Sequence, residues 1–85
     1  MAAIRAYVLV GASIGKARDV VKALKNLEGV ESADVVTGPY DIIAVVAGRN
    51  MGTIADLVTM KIGAVQGVAS TVTCVVLPGR KVHQV

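Results

Sequence analysis

The chain repeats itself, and that repeat constrains its fold more than any single motif does. At an offset of 38 residues, Gly29-Val30-Glu31-Ser32 aligns with Gly67-Val68-Ala69-Ser70, and Val35-Val36 falls near Val72 to Val76. Each half opens with a short aliphatic stretch, Ala6 to Val10 and then Ile42 to Ala47, dense in β-branched residues and too short for a helix. Each then enters a helix. Ala17, Val20, Val21, Leu24 and Leu27 recur at the three-and-four spacing of a single apolar stripe, with Arg18, Lys22 and Lys25 on another face. Ile54, Leu57, Val58 and Ile62 form the matching stripe. Ser13 and Asn50 are placed to cap the two helix starts, and Gly29, then Gly63 or Gly67, to end them. A second strand closes each half, Ser32 to Thr37 and Ser70 to Leu77.

Two β-α-β units meet at Thr37-Gly38-Pro39-Tyr40-Asp41, where Gly and Pro favour a tight reversal. Right-handed crossovers then predict an α+β, ferredoxin-like βαββαβ sandwich. It has a four-stranded antiparallel sheet with strands one and three in the middle and both helices on one face. Residues 1–78 are expected to form this single domain, with 79–85 a flexible tail. Val8, Val10, Ile43 and Val45 cannot all point the same way as their strand neighbours, so both sheet faces are apolar. A chain of 85 residues that is 54% apolar covers its own surface poorly. A two-fold dimer through the uncovered face is the simplest solution.

Several functions are disfavoured by what the chain lacks. Nine basic and six acidic residues leave a charge of +3 without a concentrated basic block, and two tyrosines are the only aromatics. Direct nucleic-acid binding is therefore not expected. Cys74 is the single cysteine, so neither an intramolecular disulfide nor a Cys-rich zinc site can form; nothing requires an oxidising compartment, and a cytoplasmic setting is expected. No apolar run approaches the roughly 18 to 20 residues of a membrane span. Met1 to Ile14 resembles a short signal peptide, but its removal would delete the first strand of the repeat. Gly11-Ala12-Ser13-Ile14-Gly15-Lys16 fails as a phosphate loop, being one residue short between its glycines and followed by Ala17. His83 and six dispersed carboxylates assemble neither a catalytic group nor a metal site, and no cofactor is implied.

Gly38-Pro39-Tyr40-Asp41 concentrates a carboxylate, a phenol and free backbone groups at one hairpin, chemistry that suits an ammonium or hydroxyl on a small polar ligand. The plainer reading is that Asp41 bonds a backbone amide while Tyr40 packs on a neighbour. Arg49-Asn50 can meet a carboxylate at the second helix start, or serve as an ordinary capped turn. Met51 and Met60 read first as core or interface filler.

These residues resemble the effector-binding (RAM) domain of the Lrp/AsnC family over about residues 5–78. The match runs through Ala6-Tyr7-Val8-Leu9-Val10, Leu27-Glu28-Gly29-Val30 and Thr37-Gly38-Pro39-Tyr40-Asp41. It continues in Val65-Gln66-Gly67-Val68 and Thr71-Val72-Thr73-Cys74-Val75-Val76. The resemblance implies a non-enzymatic domain that dimerises through its sheets, assembles into octamers or decamers, and binds an amino acid between dimers. Carried over by position, the ligand site comprises Gly38, Tyr40, Asp41, Met51, Gly63, Cys74, Val75 and Val76, with Asp41 holding the ligand ammonium. Full-length family regulators begin with a helix-turn-helix. The resemblance therefore implies a stand-alone form that modulates transcription by co-assembling with them. Two alternatives are a dimeric ferredoxin-like barrel enzyme, which needs a His, Asn or Trp cluster on an apolar cavity, and a purely structural assembly module.

Overall fold

The computed structural model describes residues 3–77; the expectations for the tail at 79–85 and for His83 lie outside them. The elements run β1 (Ile4–Ala12), α1 (Ala17–Lys25), β2 (Val30–Val35), β3 (Ile42–Gly48), α2 (Met51–Asp56) and β4 (Val68–Val75). Between α2 and β4, Leu57–Ile62 continues the helix as a π-helical segment. The strands form one antiparallel sheet in the order β2-β3-β1-β4, the ferredoxin-like arrangement with the two most apolar strands in the centre.

Strand alternation divides the side chains between two unequal faces. Ala6, Val8 and Val10 of β1, Ile42, Ala44 and Val46 of β3, and Ala33 of β2 are buried against the helices. There they meet Val20, Val21 and Leu24 of α1 and Ile54, Leu57, Val58 and Ile62 of the second helix. Tyr7, Leu9, Ile43 and Val45 face the other way, and register sets Tyr7 beside Val45 and Cys74, and Leu9 beside Ile43 and Val72. No described element covers that face. Tyr7 remains 46% exposed and Val72 41%. On β4 the alternation has a telling sense. Thr71 and Thr73 lie opposite Val10 and Val8 on the helix side, while the apolar Val72 and Cys74 turn outward.

The repeat is visible in the backbone. Gly29 (φ 98°) and Gly67 (φ 101°) both adopt the left-handed conformation one residue before the closing strand of their half. The N–H of Val30 donates to Leu27 O at 3.2 Å, and that of Val68 to Val65 O at 3.1 Å. Each glycine carbonyl accepts a bond from the opening strand of the other half or just beyond it, Gly29 from Ala47 N–H (2.9 Å) and Gly67 from Ser13 N–H (2.8 Å). A Cβ at Gly29 would lie 3.0 Å from Leu57 Cδ2, and one at Gly67 2.9 Å from Val20 Cγ2.

Three local expectations need correction. Ser13 does not cap α1, because it stands four residues before Ala17. Its carbonyl instead accepts from Lys16 N–H (2.9 Å) in a turn through Gly15, and Lys16 takes the N-cap position without a side-chain bond. Gly29 does not end α1, whose C-cap is Asn26; it makes the left-handed turn three residues further on. Of the two glycines expected to end the second helix, Gly63 does so in a right-handed conformation (φ −63°), and Gly67 makes the left-handed turn. β2 and β4 each begin and end two residues earlier than the pattern suggests, since each strand starts directly after its glycine. Asn50 does cap α2: its Oδ1 accepts from Thr53 N–H at 2.8 Å and from the Thr53 hydroxyl at 3.1 Å.

Candidate functional site

The eight residues singled out by position fall into separate groups. Gly38, Tyr40 and Asp41 lie on the loop between β2 and β3, closed by a 2.8 Å bond from Val36 N–H to Asp41 O. Gly38 has φ 123°, and nothing would touch a Cβ there, so backbone conformation alone selects glycine. Asp41 fastens the loop to β1 twice. Its own N–H donates to Val10 O (3.0 Å), and its Oδ2 accepts from Ala12 N–H at 2.8 Å. The β1–β3 register ends at Val10–Ile42 and a bulge interrupts β1–β4 between Gly11 and Ala12, so the carboxylate supplies an acceptor that the ladder does not. The plainer expectation for Asp41, a bond to a backbone amide, is what forms. Its other oxygen accepts nothing from the described residues, and the side chain is exposed.

Met51 and Val75 come together at the far end of the sheet. With Thr73, Ile54 and Val58 they line an apolar groove of about 290 Å³ between α2 and β4. Val76 follows β4 and donates its N–H to Arg5 O at 2.8 Å. Cys74 is a free, exposed thiol beside Tyr7 on the uncovered face, on the side of β4 away from that groove. Gly63 closes the π-helical segment, its N–H reaching Val58 O at 2.8 Å, five residues back. Val75 pairs with Ala6 and Asp41 is bonded to Ala12, so the hairpin and the groove stand about 20 Å apart along β1. Among the described residues, neither of the two cavities collects the eight.

A larger cavity of about 730 Å³ lies elsewhere, between the Glu28-Gly29 turn, the end of β3 and the outward side of the second helix. Arg49, whose neighbour Asn50 is engaged in capping, lines it. The local sequence sets Arg49 beside a helix start; its cavity partners come from distant segments that no local pattern joins. Neither cavity carries a His, Asn or Trp. Among the described residues no cluster of His, Cys, Asp and Glu is arranged to hold a metal ion, and no helix is long and apolar enough to cross a membrane.

The fold is thus a ferredoxin-like α+β unit with hairpin and groove at opposite ends and an uncovered apolar face. The family model of the Lrp/AsnC ligand binding domain matches residues 5–84, and the chain belongs to that family of regulatory small-molecule-binding domains. It is 30% identical over 76 residues to an uncharacterized HTH-type transcriptional regulator of Pyrococcus abyssi, covering 89% of this chain and 48% of that protein. The chain therefore spans about half the length of that curated relative. A crystal structure of a Thermus thermophilus protein superposes with a TM-score of 0.86 at 29% identity, covering 92% of this chain and 98% of that one. A Neisseria meningitidis transcriptional regulator in complex with L-Met shares the fold, with a TM-score of 0.80 at 20% identity over 92% of this chain and 52% of that one.

Proposed function

We propose that this chain is a non-enzymatic amino-acid sensor that works only as an assembly, with residues 1–78 as its unit in the cytoplasm. Two copies pair through the uncovered sheet face, and pairs join into an octamer or decamer. An amino acid lodges in the seam between pairs, where Gly38, Tyr40 and Asp41 of one copy meet Met51, Gly63, Val75 or Val76 of others, while Cys74, on the uncovered face, lies within a pair. The free oxygen of Asp41 accepts from the ligand ammonium while Oδ2 keeps its bond to Ala12. Co-assembly with full-length regulators would carry the response to transcription.

The observation that carries this reading is the pairing of an apolar open face with candidate residues about 20 Å apart, which leaves them a common ligand only across copies. The outward turn of Val72 and Cys74 on β4 supports the same conclusion. The L-Met complex of the Neisseria regulator supports an amino acid as the ligand class.

Calorimetry against the twenty amino acids, on wild type, Asp41→Asn and Asp41→Ala, tests the ligand. The amide of Asp41→Asn can keep the Ala12 bond without the charge, so both variants should lose the part of the binding that depends on assembly, and only Asp41→Ala should also loosen the hairpin. Full binding by Asp41→Asn would remove the assigned role of the carboxylate. Val45→Asp, at the centre of the open face beside Tyr7, should drive the assembly to protomers in sedimentation velocity. A wild-type chain that stays a lone protomer at millimolar concentration would end the proposal.

A further inference from the structure

The larger cavity has no part in the seam described above, yet it gathers charge of both signs. Arg49 and Lys61 bring two cations to it, and Glu28 and Asp56 two carboxylates. Among the described residues the single ion pair within 4.0 Å is Arg5 with Glu31, so none of these four has closed on an opposite charge. Leu57, nearly buried, gives the cavity an apolar floor, and the exposed Met60 flanks it. The volume of about 730 Å³ falls within the range of about 300–1,000 Å³ typical of small-ligand pockets.

The local backbone adds a second, independent sign. Leu57, Met60 and Lys61 all belong to the π-helical segment. Such widened turns are rare and recur at functional sites, because they re-aim side chains out of the regular helical path. Here the widened turn borders the cavity.

We propose that this cavity is a second small-molecule site, complete within one protomer, for the zwitterion of an α-amino acid. Arg49 and Lys61 take the carboxylate, Asp56 and Glu28 take the ammonium, and the ligand side chain lies over Leu57 and Met60. The site requires neither Asp41 nor a second copy, so it stands or falls separately from the seam. All four charges are exposed, and solvent and salt therefore screen them. Each such contact should be worth about two- to fivefold in affinity.

The test is calorimetry of the full chain in an Asp41→Ala background, which removes the seam contact, titrated with each of the twenty L-amino acids at millimolar concentration. The best binder is then repeated as its N-acetyl and carboxamide derivatives. Arg49→Gln and Asp56→Asn should each weaken binding about two- to fivefold, and both blocked ligands should bind more weakly still. Both positions are exposed and both replacements are polar, so folding is preserved. Amide NMR shifts should cluster at Arg49, Asp56 and Met60 to Lys61. Absence of binding in the Asp41→Ala background overturns the proposal, as does binding there that both charge variants leave unchanged. Failure of the seam alone reads differently: Asp41→Ala would leave wild-type affinity intact while Arg49→Gln reduced it.

Discussion

The two β-α-β halves arrive at the same turn by different helices. In the first, nine residues of regular α-helix run from Ala17 to Lys25 without a side-chain cap. In the second, Asn50 caps six α-helical residues, and six π-helical ones follow before the chain reaches its glycine. The turns themselves share their form, with glycine φ of 98° and 101° and an equivalent bond from the N–H of the residue after each glycine to the carbonyl three residues back. What the halves share is therefore the point at which each docks on the other. Gly29 nests under Leu57 of the second helix and Gly67 under Val20 of the first, a reciprocal contact in which a Cβ at either site would press on the facing side chain. The helices between these fixed points differ, and the larger cavity lies against the second, wider one.

The largest effect should come from the shared points. Valine at Gly29 or Gly67 must adopt a left-handed backbone, costing about 1–2 kcal/mol, and also press on the facing side chain, adding about 1–3 kcal/mol. Urea unfolding at fixed protomer concentration, necessary because assembly contributes to stability, should show similar losses at both positions. A loss at one glycine only would break the equivalence. A sharper version pairs Gly29→Ala with Leu57→Val: shortening the leucine should recover part of the loss, with a coupling of about 0.5–3 kcal/mol, and strict additivity would mean the two do not touch.

A smaller effect separates the helix starts. Asn50→Ala removes the acceptor of Thr53 N–H and should cost about 1 kcal/mol. Ser13→Ala should change stability by less than about 0.5 kcal/mol, because Ser13 contributes only its backbone to the turn before α1. Equal losses in the same urea assay would restore the capping role assigned to Ser13 from its residue type.

How far the chain could be read follows from the range over which its signals act. Periodicity places Val20, Val21 and Leu24 on one stripe and sets Val8 and Val45 on opposite faces of the sheet, because alternation and helical spacing act within a few residues. Strand order then follows from the hairpin and the handedness of crossovers. Ser13 misleads because residue type suggests a cap, whereas the position of Gly15 decides where the helix can begin. The π-helical turn leaves no local signature: Leu57, Val58 and Ile62 fit an ordinary amphipathic stripe equally well. At the candidate sites, Asp41 stands out by its chemistry, but its bond to Ala12 depends on where β3 begins. Glu28, Arg49, Asp56 and Lys61 come together only through the crossover of the second helix, so no pattern along the chain joins them.

The smallest expected effect bears on why the second helix widens. The Thr59 hydroxyl donates to Ala55 O at 2.8 Å, within the stretch where the ladder passes from α to π. Two causes compete: this side-chain bond displaces the regular ladder, or the burial of Leu57, Val58 and Ile62 pulls the backbone into the wider turn. Thr59→Ala removes the first and leaves the second. A neutral hydrogen bond is worth about 0.5–1.5 kcal/mol net, while alanine returns up to about 0.7 kcal/mol of helix propensity, so global stability should move by only a few tenths of a kcal/mol. Hydrogen exchange at Gly63, whose amide makes the π bond to Val58, gives the sharper answer. Burial accounts for many more contacts than one exposed hydroxyl, so we expect protection at Gly63 to persist in Thr59→Ala. Loss of that protection without global unfolding would assign the widened turn, and with it the shape of the larger cavity, to a single hydroxyl.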